Sequence, residues 1–538
     1  MMQTTAIASR FTSMSAAPSL ESYLAGKWFR GHGIETELTD PTNGTMLATA
    51  SARDLDLDGA LKFARQKGGS ALRALNYGAR AKLLGEIADV LAANRARYEE
   101  IAIANSGNTK TDAAIDIDGG IGTLKYYSRL GASLGEAKSF IDSKPVRLTK
   151  AENYQAIHLL TPRHGAAIHI NAFNFPSWGL WEKAACALLA GMPVLAKPAS
   201  ATCLLSHQMV RDVVAAGILP EGVLSLLCGG IGDLLDHTTG DDVIAFTGSS
   251  HTASQIRSHR NVLARGTIVN VEADSVNAAL LAPLTAPGTP AFDAFIKEVA
   301  REMTVKAGQK CTAIRRVLVP ADRVDAVADA LSARLAKITL GDPRNETTRM
   351  GPLVNQAQQA GVLQGIGKLA SEATIVCGGT RGPKLGGIDG SKSAFVSPTL
   401  LKVDNASKAQ AAHETEIFGP VATIIPYMNE AEAFALVALG GGSLVVSVFG
   451  DDPEFLARAV TELGSCNGRV LAVDPSIAEG HSGHGIVMPQ CHHGGPGRAG
   501  NGEELGGLNG LRLYHQRVAV QGSAALVTTV AANAIPFA

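Results

Sequence analysis

The sequence predicts an α/β fold in which parallel sheets carry helices on both faces. From about Gly165, helical segments alternate with short apolar runs at 166–170, 193–196, 223–227, 243–246 and 267–271. Strands of a parallel sheet are covered on both faces, so they give continuous apolar runs, and the helices between them form the crossovers. A second alternating region, from Ala291 to about Val473, predicts a second α/β domain.

Each predicted element has a local signal. Apolar residues recur at intervals of three and four over 81–104, and Gly107 follows this segment as a helix-ending glycine. Segment 141–160 alternates weakly, lies outside both patterns and predicts a projecting hairpin. The other predicted helices are 178–189, 201–216, 291–303 and 323–337, and the predicted strands of the second domain include 317–320 and 444–448.

The composition excludes several classes of function. The 538 residues exceed what one hydrophobic core serves, so two or three domains are expected. A net charge of -1 gives no basic surface for nucleic acid or membrane lipid, and the longest apolar stretch, 184–196, is too short to span a bilayer. Seven cysteines without a CxxC motif are typical of a reduced protein, and we expect a cytoplasmic location.

A cysteine in a turn of small residues and a carboxylate upstream form a candidate catalytic pair. Cys311 ends the run Gly308-Gln309-Lys310-Cys311, and Glu272 is the carboxylate. A thiolate can attack a carbonyl carbon and form a thioester, which a carboxylate can then resolve by activating water. Taken alone, a cysteine in such a protein is more often a small core residue.

Two strand ends carry polar residues that suit a ligand. Asn174 follows a predicted strand, and its side-chain NH2 can stabilise a developing oxyanion, a contact worth about 3 kcal/mol in the transition state. The alternative is a turn asparagine before a proline. Lys197 and Ser200 follow the next strand, at the edge where ligands bind in open parallel sheets. Lys197 is expected to bind ribose hydroxyls or a phosphate, or to be a solvated loop residue.

Two further loops offer contacts to a cofactor. Gly248 and Ser249 end a strand and open a helix, whose N-terminal amides favour phosphate. Glu416 and Phe418 share one loop, in which a carboxylate can hold ribose hydroxyls while an aromatic ring contacts a nicotinamide. Each of these signals is weak by itself.

Histidines and a cysteine crowd one glycine-rich segment near the C-terminus. Their spacing matches no zinc motif, so we expect a glycine-rich loop near the mouth of the site and no metal centre. The residues are His481, His484, Cys491, His492 and His493.

Taken in chain order, these motifs resemble those of the aldehyde dehydrogenase superfamily over residues 20–520. The resemblance implies an aldehyde dehydrogenase fold with a Rossmann-like cofactor domain (1–140 and 161–276) and an α/β catalytic domain (277–505). It also implies a small β oligomerisation element (141–160 and 506–538), and with it a homodimer or a dimer of dimers.

The same resemblance implies a role for each motif residue. Cys311 is the expected nucleophile, and Glu272 is the expected base for the water that releases the product. Asn174 and the backbone N–H of Cys311 would hold the oxyanion. The expected cofactor-binding residues are Lys197, Ser200, Gly248, Ser249, Glu416 and Phe418.

The chain departs from the usual family pattern around the cofactor. Many NAD-preferring relatives carry a glutamate where this chain has Ser200, and a serine does not repel a 2′-phosphate, which Lys197 can then bind. NADP is therefore the expected cofactor and NAD the alternative. After the base, the usual Leu-Gly-Gly-Lys is replaced by Ala-Asp-Ser-Val at 273–276. Ala253 stands where a glycine usually follows Phe-Thr-Gly-Ser, which alters the expected geometry of the phosphate site.

Runs at 171–179, 272–275 and 493–500 resemble a subgroup that acts on CoA-linked semialdehydes in aerobic aromatic degradation. The implied substrate is an aldehyde such as 3,4-dehydroadipyl-CoA semialdehyde, and a semialdehyde of phenylacetate degradation is the alternative. A CoA-acylating dehydrogenase and a non-catalytic member of the fold remain open. Four basic residues have two interpretations: they contact CoA phosphates, or they are solvated surface charges, which is the preferred interpretation for each. These residues are Arg163, His164, Arg315 and Arg316.

Overall fold

Helices and strands alternate along the chain, as the apolar runs predict. The computed structural model describes residues 17–380, 382 and 388–537, so residues 1–16 of the predicted cofactor domain lie outside it. The α-helices are α1 (Leu57–Phe63), α2 (Gly69–Ala74), α3 (Tyr77–Ala93), α4 (Arg95–Ser106), α5 (Lys110–Ser133), α6 (Trp178–Ala190), α7 (Cys203–Ala215), α8 (Ser250–Arg257), α9 (Arg260–Arg265), α10 (Pro290–Thr304), α11 (Val324–Leu335), α12 (Gln356–Leu369), α13 (Gln410–Glu414), α14 (Glu430–Ala438), α15 (Pro453–Leu463) and α16 (Ala524–Ala532).

The strands form three larger sheets and two short ladders. They are β1 (Ser22–Leu24), β2 (Lys27–Phe29), β3 (Thr36–Thr39), β4 (Met46–Ala50), β5 (Phe140–Ile141), β6 (Val146–Arg147), β7 (Tyr154–Pro162), β8 (Ala167–Ile170), β9 (Val194–Lys197), β10 (Leu224–Leu226), β11 (Val243–Thr247), β12 (Ile268–Glu272), β13 (Ala278–Leu281), β14 (Arg316–Pro320), β15 (Thr374–Cys377), β16 (Thr399–Lys402), β17 (Val421–Tyr427), β18 (Ser443–Phe449), β19 (Asn467–Val473), β20 (His492–Gly494), β21 (Glu503–Leu505), β22 (His515–Ser523) and β23 (Ile535–Pro536).

The first sheet has the strand order β12-β11-β8-β9-β10-β1-β2. Strands β8 to β12 are mutually parallel, and β1 and β2 are added antiparallel at one edge. Helices α3, α5, α6 and α7 bury a core around Trp181 on one face, while α1, α8 and α9 pack around Leu61 and Phe246 on the other. The parallel sheet with helices on both faces is therefore confirmed.

The second sheet has the order β15-β16-β17-β14-β13-β18-β19, and only β15 runs antiparallel to its neighbour. One face packs against α12, α14 and α15, and the other packs against α10 and α11 around Phe295. The predicted second α/β region is thus an independent sheet with its own two-sided core. The exact domain boundaries stay a prediction.

The third sheet is small and joins two distant parts of the chain. Strand β7 pairs antiparallel with β6 in the predicted hairpin and, along its whole length, with β22 near the C-terminus. The sheet order is β22-β7-β5-β23, so β22 pairs on one side only within the described residues. None of the helices in the described residues combines the length and apolarity needed to cross a bilayer.

The helix predicted over 81–104 is two helices, because Asn94 interrupts it. Asn94 has a backbone conformation outside the helical region, and its side-chain amide donates to the carbonyl of Val90 at 2.9 Å. A side chain that bonds the backbone locally competes with the helix, yet the apolar spacing continues across the break. Gly107 ends the second helix with a left-handed φ of 66°, as predicted.

The segment between α10 and β14 turns through three consecutive left-handed residues. The φ angles are 54° at Lys306, 52° at Ala307 and 68° at Gly308. Each non-glycine residue in this conformation costs about 1–2 kcal/mol. The N–H of Lys306 donates to a carboxylate oxygen of Asp112 on α5 at 3.0 Å, which helps to hold the strained turn.

Glycine is required at position 308 by a close approach as well as by its φ angle. A Cβ atom there would lie 2.2 Å from the carbonyl oxygen of Gly419. The guanidinium of Arg315 donates to the carbonyls of Gly308 at 2.8 Å and Gly419 at 2.7 Å, so it joins the two loops.

We predict that Gly308→Ala lowers the thermal midpoint of unfolding by about 4 °C or more, because the methyl group strains the turn and pushes Gly419 away. Gly480→Ala is the matched control, since Gly480 has no positive φ and open space around the added methyl. Differential scanning calorimetry of both variants checks this. Equal midpoints for the two variants would show that the turn does not depend on glycine.

Candidate active site

Two cavities meet at Cys311, one of about 520 Å³ and one of about 920 Å³. Apolar side chains, among them Phe175, Trp178 and Val487, line the smaller one. The larger is lined by four of the predicted cofactor residues, Gly248, Ser249, Glu416 and Phe418. The wall shared by both cavities consists of Asn171, Ala172, Asn174, Thr247, Glu272 and Cys311.

The shared wall carries buried polar atoms without a hydrogen-bond partner. Among the described residues these are Nδ2 and Oδ1 of Asn171, Oγ1 of Thr247 and Oε1 of Glu272. Buried polar atoms are ordinarily paired, so these atoms are available to polar atoms of a ligand or to water. Asn174 is also buried on this wall, as expected of an oxyanion donor.

Cys311 lies in the turn that follows the left-handed segment. The side-chain amide of Asn277 donates to its carbonyl at 2.7 Å, while its own N–H has no acceptor in the described part of the chain. Burial raises the pKa of the Cys311 thiol well above its usual range, and the neighbouring carboxylate of Glu272 raises it further. The thiol is therefore neutral at rest and needs a proton acceptor to react.

Glu272 is the last residue of β12 and forms an ion pair with His493. The two side chains are buried, with His493 Nε2 3.0 Å from Glu272 Oε2. Burial alone would raise the pKa of Glu272, but the charge and hydrogen bond of His493, with Lys183, lower it to about 2. The pKa of His493 is raised by Glu272 against the opposing effect of burial. The carboxylate is thus ionised and held in place.

A second group of buried charges lies close to this ion pair. Lys183 Nζ lies 3.0 Å from Glu504 Oε2 and 3.5 Å from Glu182 Oε1. Burial raises the pKa of Glu182 to about 7, so it can exchange a proton near neutral pH. Glu182 and Lys183 line the smaller cavity. Sequence analysis missed these residues and the role of His493, because α6 and the β20–β21 ladder meet only in the folded chain.

Side chains of the protein itself bond the start of α8, where a phosphate site is predicted. Ser249 caps the helix by accepting from the N–H of Thr252 at 3.2 Å. The carboxylate of Asp274 accepts from the N–H of Ser250 at 3.0 Å and from its hydroxyl at 2.6 Å. A phosphate bound at this helix end would compete with Asp274 for the amide.

Glu416 and Phe418 face the larger cavity from a loop tied to Arg315. Burial raises the pKa of Glu416 to about 8, although Arg315 acts in the opposite direction. The Phe418 ring packs edge-on against Phe173 at 5.6 Å, and the Arg315 guanidinium lies 5.7 Å from its centre. These contacts fix the ring on the cavity wall.

Lys197 and Ser200 do not line either cavity, although Ala199 between them does. The Ser200 hydroxyl donates to the carbonyl of Gly229 at 2.9 Å. Burial lowers the pKa of Lys197, and nearby groups including Glu35 partly oppose this. Sequence analysis missed Glu35, which directly precedes β3 and whose carboxylate lies near Lys197.

The two arginines after Cys311 are buried, so the expectation that they are solvated surface charges was wrong. Arg315 is occupied by the loop carbonyls described above. Arg316 donates to the carbonyls of Val276 at 2.8 Å and Val437 at 2.9 Å. Guanidinium groups have five donors, which lets them satisfy several carbonyls at once in a buried junction. Of the crowded histidines, His493 reaches the site, whereas His484 bonds Ser447 at 2.6 Å.

We predict that Glu272→Gln shifts the alkylation of Cys311 by iodoacetamide to lower pH. Removing a neighbouring carboxylate lets the thiolate form more easily, and such a charge moves a pKa by about one to three units. The rate of alkylation is measured across pH, with the exposed Glu503→Gln as control. An unchanged or raised midpoint would mean that Glu272 does not act on the thiol.

Known proteins are similar to this chain in sequence and in fold. Residues 28–518 match the aldehyde dehydrogenase family. The chain is 50% identical over 477 residues to the 3,4-dehydroadipyl-CoA semialdehyde dehydrogenase of Aromatoleum evansii, covering 89% of this chain and 93% of that protein.

Solved structures agree in fold. The NAD+ complex of an aldehyde dehydrogenase from Bacillus cereus has a TM-score of 0.81 at 23% identity, covering 94% of this chain and 97% of that one. The 3,6-anhydro-L-galactose dehydrogenase in complex with NAP also has a TM-score of 0.81, at 22% identity, covering 94% and 100%. The predicted fold class is confirmed, and the chain belongs to the aldehyde dehydrogenase family.

Proposed function

We propose that this enzyme oxidises a CoA-linked semialdehyde to a carboxylic acid, with NADP as the preferred cofactor and a thioacyl intermediate on Cys311. The observation that carries the proposal is the shared wall. It presents Cys311 and Glu272 to an apolar cavity on one side and, on the other, to a cavity lined by four of the predicted cofactor residues.

In the first step, the Cys311 thiol gives its proton to water in the cavity, and the sulfur attacks the aldehyde carbon. Asn174 and the N–H of Cys311 donate to the resulting oxyanion. Phe175 and Trp178 exclude water from the carbon chain of the substrate. Attack places the reacting carbon at the junction of the two cavities.

The inner end of the larger cavity fits a nicotinamide dinucleotide. The unpartnered atoms of Asn171 and Thr247 suit a carboxamide, Phe418 offers a ring face, and Glu416 can exchange hydrogen bonds with ribose hydroxyls. A bound nicotinamide would accept the hydride that leaves the tetrahedral adduct. Lys197 and Ser200 would take the adenosine end.

In the last step, Glu272 deprotonates the water that attacks the thioester. Its Oε2 is held by His493, which leaves the unpartnered Oε1 for the water. Glu182, which lies on the wall of the smaller cavity and has a pKa of about 7, can then take this proton from Glu272. The Cys311 sulfur leaves as a thiolate and regains a proton from water, and the acid is released.

The substrate assignment is supported by the identity to the Aromatoleum evansii enzyme together with the apolar smaller cavity. A semialdehyde of phenylacetate degradation is the second candidate, and an assay over free and CoA-linked semialdehydes separates the two. A CoA-acylating reaction is disfavoured by Glu272, and turnover that requires free CoA would establish it. We further propose a homodimer or a dimer of dimers that uses the unpaired side of β22, and a cytoplasmic location.

We predict that Cys311→Ala abolishes aldehyde oxidation, whereas Glu272→Gln forms about one equivalent of NADPH per site and then stalls, since the thioester is not hydrolysed. Stopped-flow absorbance of NADPH measures both. Glu503→Gln is the control and should turn over like the unmodified enzyme. Steady turnover by Glu272→Gln would assign the base to another residue.

We predict that kcat/KM is higher with NADP than with NAD and that Ser200→Glu lowers the NADP value at least about tenfold, because a carboxylate repels the 2′-phosphate. Steady-state kinetics with both cofactors check this. Glu35→Gln tests whether the neighbouring carboxylate already limits NADP binding. An unmodified enzyme that uses NAD equally well or better would contradict the preference.

A further inference from the structure

Three potential metal ligands converge at the junction of the two cavities. A carboxylate oxygen of Glu272, the sulfur of Cys311 and a ring nitrogen of His493 all lie within 4.8 Å of one another. The sequence suggested no such site, because the three residues come from β12, the turn before β14 and β20. They are brought together only by the fold.

The separations suit a tetrahedral zinc ion. Zinc binds imidazole and carboxylate at about 2.0–2.2 Å and thiolate at about 2.3 Å, so its ligand atoms lie about 3.3–3.6 Å apart. His493 Nε2 and Glu272 Oε2 are already 3.0 Å apart. The sulfur of Cys311 lies within 4.8 Å of its two neighbours, so it must approach them by about 1 Å at most to reach the separations of a zinc site.

The donor set and its surroundings are those of an open zinc site. One thiolate, one imidazole and one carboxylate are all ligands that zinc accepts, and three protein ligands leave a fourth position for water. Glu272 Oε1 has no hydrogen-bond partner and is available to a metal ion, whereas coordination by His493 Nε2 replaces its contact with Glu272 Oε2. Cys311 and Glu272 are reached from both cavities, and His493 from the smaller one.

We propose that Glu272, Cys311 and His493 form a binding site for a thiophilic divalent cation, of which zinc is the best match, and that binding blocks the enzyme reversibly. Coordination releases the thiol proton of Cys311 and the imidazolium proton of His493 to solvent, and it occupies the sulfur. Binding follows from the ligand geometry alone, whereas inhibition rests on the proposed function of Cys311. A cysteine–glutamate pair without His493 would offer only two ligands.

The test measures Zn²⁺ binding to the full-length protein by competition with a chromophoric chelator, in thiol-free buffer without aldehyde or cofactor. We expect one ion per chain. His493→Gln and Glu272→Gln should each weaken binding by about 100-fold or more, since even outer-sphere partners of metal ligands account for 10–100-fold. Cys491→Ala, which removes an exposed thiol from the same part of the chain, is the control and should bind as the unmodified protein does.

A second measurement follows the alkylation of Cys311 by iodoacetamide, detected by peptide mass spectrometry. Zn²⁺ should slow it at least tenfold in the unmodified protein and in Cys491→Ala, but not in His493→Gln, and a chelator should restore it. Unchanged affinity in His493→Gln, or Cys311 that stays reactive with Zn²⁺ bound, would overturn the site. Neither readout needs turnover, so failure of the proposed oxidation would be seen separately in the metal-free assay.

Discussion

The contact between the Gly308 and Gly419 loops is the constraint on which the rest of the site depends. One loop carries Cys311, and the other carries Phe418 on the wall of the larger cavity. The buried guanidinium of Arg315 donates to carbonyls of both loops, and the space between them admits no side chain at position 308. The thiol and the Phe418 ring are therefore positioned by one junction, which makes the distance between them a property of the fold.

The electrostatics of the site follow from burial at this junction. The thiol is kept neutral, while Glu272 is kept ionised by His493. A neutral nucleophile beside an ionised carboxylate is stable at rest and can react only when a substrate brings an electrophilic carbon. Glu182, with a pKa of about 7, extends the same wall with a group that can exchange protons near neutral pH. Oxidation through a thioester requires two proton transfers, one from the thiol and one from the attacking water. The arrangement suits both.

Sequence patterns predicted the features that depend on contiguous residues. Alternating apolar runs define the parallel sheets because burial on both faces selects apolar side chains, and short motifs mark Cys311 and Glu272. Contacts between distant segments could not be predicted. The buried charges of Glu182, Lys183 and Glu504 were therefore missed, as was the ion pair of Glu272 with His493. Arg316 was wrongly expected to face solvent. It is buried and donates to the carbonyls of Val276 and Val437, a pairing that residue type alone does not reveal. The domain limits and residue roles remain predictions.

The central claim is that Cys311 carries the acyl group and that Glu272 is needed to remove it. The most direct measurement is the mass of the peptide containing Cys311 after the Glu272→Gln variant has been mixed with NADP and a semialdehyde and then quenched in acid. The account predicts that this peptide gains the mass of the acyl group of the substrate in a large fraction of the chains. NADPH formation without any acyl adduct on Cys311 would contradict it.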